Sequence, residues 1–471
     1  MAWDKQLWRI QQSGKFIIFV VYLSFFLDNM LLTVVVPIVP DMLYKLDYSG
    51  DALNNNYLHN FGKVRNCSGH STEAEEAPTS RQHMVNENSE VGLLFASKAI
   101  VQLIMNPIIG PLTNRMGCSA PLFAGTLILI LSSLMFAHGK TFAVLFAARS
   151  VQGVGSACIS VAGMAMIADR YPDDKERSKI MGITMGGIAA GVLIGYPFGS
   201  VIYDFVGKTP PLLTVAALLF IDSALLLIFL RPHLEPERLL VGTSILKLMK
   251  DPYINVATGA ICISTFAIAV LEPCLPLWLM ESMDPPRWQL GTVFIPDSLG
   301  YLLGTNLFGF VTYKLGRWLT AMISMVVVGI CALVIPYSSH ILQLVIPHFG
   351  LGLGIGVVDA SLMPLLAYLV DSRYVALYGS VYAIAQVAVC LAYSIGPLLG
   401  GYMVKRLGFP WVMRAIGIAN LLYSPLCYFL KDTAALEENM VINLKSTDYL
   451  ANKVAPKAEG RTAYSSFSNE D

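Results

Sequence analysis

The stretch GPLTNRMG, residues 110–117, follows a long apolar segment, and GFVTYKLGRW, residues 309–318, follows another apolar segment six segments later. Two further pairs of stretches have the same separation: AMIADRYPDDKERSKIMG (165–182) with AYLVDSRYVALYGS (367–380), and GVLIGYPFG (191–199) with SIGPLLGG (394–401). Repeats of this kind are typical of two-lobed transporters that bind their substrate between the lobes, near the middle of the membrane. The sequence therefore predicts two lobes of six helices each.

Composition agrees with a membrane protein that spans the bilayer many times. The mean hydropathy is +0.60, 55% of the residues are hydrophobic and only 14% are charged. The formal net charge of +0 argues against a nucleic-acid partner. Apolar runs of about 20 residues indicate transmembrane helices. We predict an all-α membrane protein with twelve spans, near 16–40, 90–112, 120–138, 141–167, 178–203, 210–231, 254–280, 288–312, 319–338, 341–368, 375–404 and 409–430.

The distribution of Lys and Arg among the loops predicts which side each loop faces. Loops that a cytosolic N-terminus would place in the cytosol hold about twice as many of these residues as the opposite loops. This orientation gives a cytosolic N-terminus (1–15), an N-terminal lobe (16–231) with a lumenal loop (41–89), a cytosolic linker (232–253), a C-terminal lobe (254–430) and a disordered cytosolic tail (431–471). The sequon at Asn66 is then a lumenal glycosylation site. We expect a monomer.

Two basic residues lie inside apolar stretches, Lys98 in LLFASKAIVQLIM and Arg149 in FAVLFAARSVQGVG. Five acids share this property: Asp28, Asp222, Glu272, Asp297 and Asp359. A charge inside a membrane is costly, so it normally faces a polar cavity or an opposite charge and marks the path of an ion or a charged substrate. The pattern favours a transporter and not an enzyme. No GxxxxGK[ST] motif is present, which excludes this kind of ATP-driven pump, and no metal or other cofactor is indicated.

Helix depth predicts which of these charges can meet. Lys98 and Arg149 each lie about eight residues, or roughly 12 Å, from the predicted lumenal end of their helices, and Glu272 lies at a similar depth. Asp28 and Gln386 fall near the middle of theirs. We expect a cluster around a central cavity, where a mid-membrane acid suits a cationic substrate or a proton. The alternative is that Lys98 and Arg149 form structural ion pairs that hold helices together.

The repeated motifs resemble the major facilitator superfamily. GPLTNRMG is similar to the cytosolic gating loop of that superfamily, with Asn114 where the general pattern has Asp. GVLIGYPFG resembles the fifth-helix motif of its proton-coupled antiporters. Further stretches resemble the vesicular transporters for monoamines and acetylcholine: LDNMLLTVVVPIVP (27–40), LLFASKA (93–99), LEPCLPLWLM (271–280) and YGSVYAIA (378–385). LLTVVVP, LPLWLM and SLGYLLGTN are closer to the monoamine branch.

The resemblance implies a proton-coupled antiporter that loads a cationic amine, most simply a monoamine, from the cytosol into acidic synaptic or secretory vesicles by alternating access. It suggests amine binding by Asp28, Asn29 and Glu272, and gating or proton coupling by Lys98 and Arg149. It places three aromatic residues in the cavity wall: Phe95, Trp278 and Tyr301. Asp222, Asp297 and Gln386 are further candidates for proton coupling. The alternatives are a transporter of acetylcholine or another organic cation, and a non-transporting regulator with the same fold.

The chain departs from the family pattern at three positions. Gln386 stands where the family has an acid, and a Gln side chain cannot take up a proton. Asp297 replaces a small residue and lies four positions before Tyr301, on the same helix face. Asp284 replaces a Cys of the monoamine branch, which leaves Cys67 without an evident disulfide partner. We hypothesise that Asp297 takes over the role lost at Gln386; otherwise it hydrogen-bonds a helix or faces lumenal water.

Overall fold

A computed structural model describes residues 14–36, 80–230, 244–283, 292–374 and 377–431. These ranges contain helices and no β-strand. The long helices, numbered α1 to α12 in chain order, are Gly14–Val36, Ser80–Met116, Ser119–His138, Phe142–Arg170, Asp174–Val206, Thr209–Leu225, Pro252–Ser282, Ile295–Leu315, Arg317–Val334, Ile341–Arg373, Gly379–Leu407 and Phe409–Tyr423. The twelve helices confirm the predicted all-α class. Short π- and 3₁₀-helical turns extend α6, α9 and α12.

The largest shift in a helix boundary occurs at α2. The sequence predicts a helix over residues 90–112, whereas α2 begins at Ser80 and ends at Met116. Its first part, SRQHMVNENSE, is polar, so a search for apolar runs detects only the later part. The part of α2 that is apolar enough to cross a membrane is Leu93–Met116.

One helix is more polar than its neighbours. Eleven of the described helices are long and apolar enough to span a membrane, and α8 is not among them. Its 21 residues would cross the hydrocarbon core. They include Asp297, Asn306 and Lys314, however, and polar residues at these positions lower the mean hydropathy. A helix of this composition is suited to the middle of a bundle, where its polar face is shielded from lipid.

Four glycines show that the two lobes are structural repeats. Each of them follows a helix and has a φ angle between 79° and 100°, a backbone conformation that residues other than Gly rarely adopt: Gly117, Gly207, Gly316 and Gly408. Gly117 separates α2 from α3, and Gly316 separates the equivalent helices α8 and α9. Gly207 and Gly408 stand between α5 and α6 and between α11 and α12. The same turns therefore occur six helices apart.

Helix packing follows the same repeat. Within the N-terminal lobe α3 packs on α4 and α6, and within the C-terminal lobe α9 packs on α10 and α12. The lobes meet where α2 packs on α11 and α5 packs on α8. A Cβ atom added to Gly379 would lie 2.5 Å from the carbonyl oxygen of Gly110, and one added to Gly182 would lie 3.2 Å from the Cα atom of Gly309. Both contacts between the lobes therefore depend on a close approach of glycines.

We call the end of the bundle at which α1 begins the inner end, and the opposite end the outer end. The sequence predicts that the inner end is cytosolic. Two N-caps at the inner end are acidic: Asp173 accepts a hydrogen bond from the backbone N–H of Glu176 at 2.8 Å, and Asp251 accepts one from the backbone N–H of Tyr253 at 2.9 Å. These caps fix the starts of α5 and α7, whose later turns reach the interface between the lobes.

Candidate functional site

Asp28, in the middle of α1, connects three helices of the N-terminal lobe. Its carboxylate accepts a hydrogen bond of 2.5 Å from the hydroxyl of Ser156 on α4. The ammonium group of Lys98 on α2 lies 3.8 Å from the same oxygen atom. Asp28 is only 6% exposed, so the pair is largely shielded from solvent. The structure therefore brings together the acid and the base that helix depth indicated.

A glycine allows Lys98 to reach this position. Gly153 on α4 lies against the backbone of Lys98, and an added Cβ atom would lie 2.5 Å from the Lys98 carbonyl oxygen. Any larger residue at position 153 would push α2 away from α4. The close approach of these two helices places Ser156 and Lys98 on the same carboxylate.

Arg149 is buried beside this pair at 1% exposure. Its guanidinium donates to the side-chain oxygen of Gln152 at 2.8 Å and, less closely, to the backbone oxygen of Leu32 at 3.4 Å. It also lies 5.3 Å from the centre of the Phe95 ring, a cation–π contact. The Nε atom has no hydrogen-bond partner among the described residues. Arg149 is therefore held mainly by neutral groups and not by a carboxylate at hydrogen-bond distance.

The C-terminal lobe contributes three acids to the interface. Glu272 on α7 is partly buried and lies within electrostatic range of Arg149 and Lys98. Asp359 on α10 accepts a hydrogen bond of 2.8 Å from the phenol of Tyr301 on α8. Asp297, one turn before Tyr301, has a buried oxygen atom without a hydrogen-bond partner in the described part of the chain. Acids thus outnumber bases at the interface.

Two tyrosines that the sequence analysis did not select lie among these acids. Tyr393 on α11 is within electrostatic range of Glu272, Asp297 and Asp359, and Tyr196 on α5 is within range of Glu272 and Asp297. The sequence carries a signal for the first, because Tyr393 follows Gln386 by seven residues and so lies on the same helix face. Tyr196 stands inside the α5 motif GVLIGYPFG, which the sequence analysis selected as a repeat and for its resemblance to an antiporter motif, but not for this side chain.

Three other predicted residues make local bonds or contacts outside the group around Asp28. Asn29 donates to the backbone oxygen of Phe25 one turn earlier, at 2.9 Å. Trp278 stacks on Phe409 of α12, with ring centres 4.8 Å apart. Asp222 is fully buried within the N-terminal lobe and accepts a hydrogen bond of 2.7 Å from Ser24. Gln386 is partly buried on α11. Asn66, Cys67 and Asp284 lie outside the described residues.

The inner end of the bundle is closed by polar contacts between the lobes. Asn114, in GPLTNRMG, donates to the Ser380 hydroxyl at 2.9 Å and accepts from the Gly379 backbone at 2.8 Å. Arg177 pairs with Asp371 at 2.6 Å. Arg317 pairs with Asp174 at 2.6 Å. All three contacts join the N-terminal lobe to the C-terminal lobe, so they must break if the inner end is to open.

At the outer end an aromatic contact joins the lobes. The ring of Tyr196 on α5 stacks on that of Phe294, which precedes α8, with centres 6.0 Å apart. Phe294 also meets the ring of His348 on α10, edge to face. Within the described ranges no group of three or more His, Cys, Asp or Glu residues could hold a metal ion. The site is therefore built from carboxylates, two cations and aromatic rings.

Comparison with known proteins decides the family. The model of the Major Facilitator Superfamily matches residues 16–394 and 257–440. The chain is 47% identical to the human synaptic vesicular amine transporter, with 94% of this chain and 93% of the relative covered. It is 45% identical to the rat chromaffin granule amine transporter, covering 92% of this chain and 90% of the relative.

The chain belongs to the vesicular amine transporter family of the major facilitator superfamily. A third member of this family, the vesicular acetylcholine transporter of Tetronarce californica, is 38% identical over 91% of this chain and 83% of its own length. The fold is also that of the crystal structure of a human organic anion transporter, TETRAN, with a TM-score of 0.70 at 17% identity over 87% of this chain and 98% of that chain. The resemblance to the vesicular amine transporters that the sequence motifs indicated is thereby confirmed.

Proposed function

We propose that this chain is a proton-coupled antiporter that loads a cationic amine, most simply a monoamine, into acidic synaptic or secretory vesicles by alternating access. The observation that carries the proposal is Asp28, a buried mid-membrane carboxylate whose counter-charge is a Lys at 3.8 Å. An ion pair of this length is not a tight hydrogen bond, so a substrate ammonium can compete with Lys98 for the same oxygen atoms. A protonated amine has N–H groups to donate, as Lys98 does.

The remaining charges at the interface support a cationic substrate. Glu272, Asp297 and Asp359 face the same region from the C-terminal lobe, and the two cations Lys98 and Arg149 come from the N-terminal lobe. In a low-dielectric site this surplus of carboxylates favours the entry of a cation or of protons. The names and identities of the amine transporters that this chain matches support the same class of substrate.

Alternating access needs contacts between the lobes that can break and re-form. The three inner-end contacts made by Asn114, Arg177 and Arg317 would separate to admit the amine from the cytosol. The stacked rings of Tyr196 and Phe294 would separate to release it on the other side. The two glycine crossings, of α2 with α11 and of α5 with α8, would act as pivots because their backbones approach closely without side chains between them.

We propose that the coupling step is an exchange of charge at one site. The amine binds Asp28 and displaces Lys98, whose ammonium group then lies nearer Glu272, already within its electrostatic range. Protons from the vesicle lumen neutralise carboxyls of the C-terminal lobe and weaken the hold on the amine, which leaves. The cytosolic position of both termini, the glycosylation of Asn66 and the monomeric state stay predictions.

The test is transport by the purified chain in proteoliposomes with an acidic interior. Labelled monoamine and labelled acetylcholine are supplied outside, with and without a protonophore. We expect monoamine accumulation that the protonophore abolishes. Accumulation of acetylcholine alone would favour the second transport hypothesis. If neither cation accumulates while the protein binds amine in detergent, the chain is a non-transporting regulator and the proposal fails.

A further inference from the structure

Asp297 has a carboxyl oxygen without a bonding partner among the described residues. It lies in the first turn of α8, and its Oδ1 atom is buried and forms no hydrogen bond to any described residue. A Cβ atom on Gly352 of α10 would lie 2.8 Å from this oxygen and 2.0 Å from the Asp297 backbone oxygen. The glycine thus lets the carboxyl fit tightly between α8 and α10. Asp297 as a whole is only partly buried, but a buried carboxyl oxygen without a bond costs free energy, which calls for an explanation beyond packing.

A capping role does not account for Asp297. Acids in the first turn of a helix usually bond to the free N–H groups at its start. Here no such bond from Asp297 exists in the described part of the chain. The neighbouring Ser298, in contrast, bonds locally to the Phe294 backbone oxygen at 3.1 Å.

The surroundings of Asp297 contain acids and phenols but no cation in electrostatic range among the described residues. The titratable groups that face this region are Glu272 on α7, Tyr301 on α8, His348 and Asp359 on α10, Tyr393 on α11 and Tyr196 on α5. The two cations are engaged elsewhere, Lys98 with Asp28 and Arg149 with Gln152. Two carboxyls within electrostatic range of each other in a low-dielectric site cannot both be ionised at low cost, so one of them readily takes up a proton.

We propose that Asp297 carries the transported proton in this chain, together with Glu272, and replaces the titratable group that Gln386 cannot provide. The inference rests on the proposed antiport. On the lumenal side a carboxylate oxygen of Asp297 forms an O–H bond with a proton from water. On the cytosolic side this bond breaks and the proton returns to water, so no other bond and no electron is involved. Protonation removes one negative charge beside Glu272 and so weakens the hold on the amine.

The experiment separates proton-driven uptake from exchange of amine for amine. Proteoliposomes hold the wild type, Asp297→Asn, Asp297→Glu or the double variant Asp297→Asn/Gln386→Asp. One assay measures accumulation of labelled amine driven by an acidic interior. The other loads unlabelled amine inside at equal pH and measures entry of labelled amine, which needs no net movement of protons. Ser298→Ala is the matched control, because it removes a local bond one residue away on the same helix.

We expect Asp297→Asn to lose at least ~10-fold in proton-driven uptake, which corresponds to about 1.4 kcal/mol, while exchange with saturating amine on both sides stays within about twofold of the wild type. The double variant and Asp297→Glu should recover much of the proton-driven uptake, and Ser298→Ala should match the wild type in both assays. Undiminished proton-driven uptake in Asp297→Asn overturns the proposal. So does an equal loss in both assays, which indicates a structural role. No recovery in the double variant refutes the replacement of Gln386. A wild type without proton-driven uptake overturns the proposed antiport itself.

Discussion

The two lobes repeat the same helices but place different charged groups at the interface: the N-terminal lobe contributes an acid and two cations, and the C-terminal lobe contributes acids. In the N-terminal lobe Asp28 has both a hydroxyl partner at 2.5 Å and a Lys at 3.8 Å. In the C-terminal lobe Asp359 has a single phenol partner at 2.8 Å and Asp297 has none among the described residues. The acid of the N-terminal lobe therefore has a cation beside it, whereas neither of these two C-terminal acids has a cation at bonding distance among the described residues.

The backbone does not share this asymmetry. The crossing of Gly110 with Gly379 has its counterpart in the crossing of Gly182 with Gly309. The turns at Gly117 and Gly316 are likewise equivalent. A symmetric scaffold with asymmetric charges gives two half-sites that can move in the same way although their charged groups differ. The predictions below test whether the two half-sites are as distinct as their contacts indicate.

The largest effect is expected for Asp28→Asn. The change removes the charge that would pair with the amine and leaves Lys98 beside a neutral amide. We expect both uptake and exchange to fall below detection, at unchanged protein yield. Binding of labelled amine to the detergent-solubilised protein is measured alongside. Asp28→Glu, which keeps the charge, is the control and should bind measurably. Normal binding by Asp28→Asn would remove Asp28 from the site.

Lys98→Ala should separate binding from conformational exchange. When the Lys98 ammonium group is removed, the Ser156 hydroxyl is the one partner of Asp28 that remains among the described residues. We expect amine to bind at least as tightly as in the wild type, because it no longer competes with Lys98. Exchange should slow at least ~10-fold, about 1.4 kcal/mol, because no ammonium group replaces the departing amine, so its release leaves a buried acid unpaired. Exchange at the wild-type rate would show that the pair has no part in switching.

The depth of a residue along its helix could be predicted from the sequence, but the direction of its side chain could not always be predicted. A rise of about 1.5 Å per residue placed Lys98, Arg149 and Glu272 at one level, and their electrostatic contacts agree with this prediction. Trp278 was assigned to the cavity as well, yet it stacks on Phe409. It follows Glu272 by six residues, or about 240° of rotation, so the two side chains leave α7 in different directions.

Contacts between helices were harder to predict than the helices themselves. Asp222 lies at a suitable depth, but α6 packs on α3 and α5, so its acid stays inside the N-terminal lobe with Ser24. Ser156 was overlooked because a hydroxyl in a helix usually bonds to its own backbone. Its spacing of seven residues from Arg149 on one helix face was the available signal. Which hydroxyl finds a carboxylate depends on the close approach at Gly153.

Tyr301→Phe tests the C-terminal half-site with a smaller change. The phenol is the described partner of Asp359, whose other oxygen is already buried without one. A hydrogen bond to a charged group contributes about 1.5–3 kcal/mol, so loss of this bond should alter how readily Asp359 gives up a proton. We expect proton-driven uptake to fall by roughly tenfold while amine binding changes little. A loss of binding without a change in coupling would instead assign Tyr301 to the amine.

The smallest effect is expected at the inner end, where Asn114→Asp tests how neutral contacts hold the lobes together. The Asn114 oxygen accepts from the Gly379 backbone, and its amide donates to the Ser380 hydroxyl. Asp keeps the first bond and strengthens it by its charge, and Ser380 can rotate its hydroxyl to donate in return. The closed inner end should gain about 0.5–1.5 kcal/mol, so exchange should slow by a factor of roughly 2 to 10. Asn114→Ala loses both bonds and should shift the population toward an open inner end, measured by labelling of a cysteine introduced at Leu377, which is buried at the closed inner end. If both variants slow exchange and neither changes the labelling, this contact does not control the opening of the inner end.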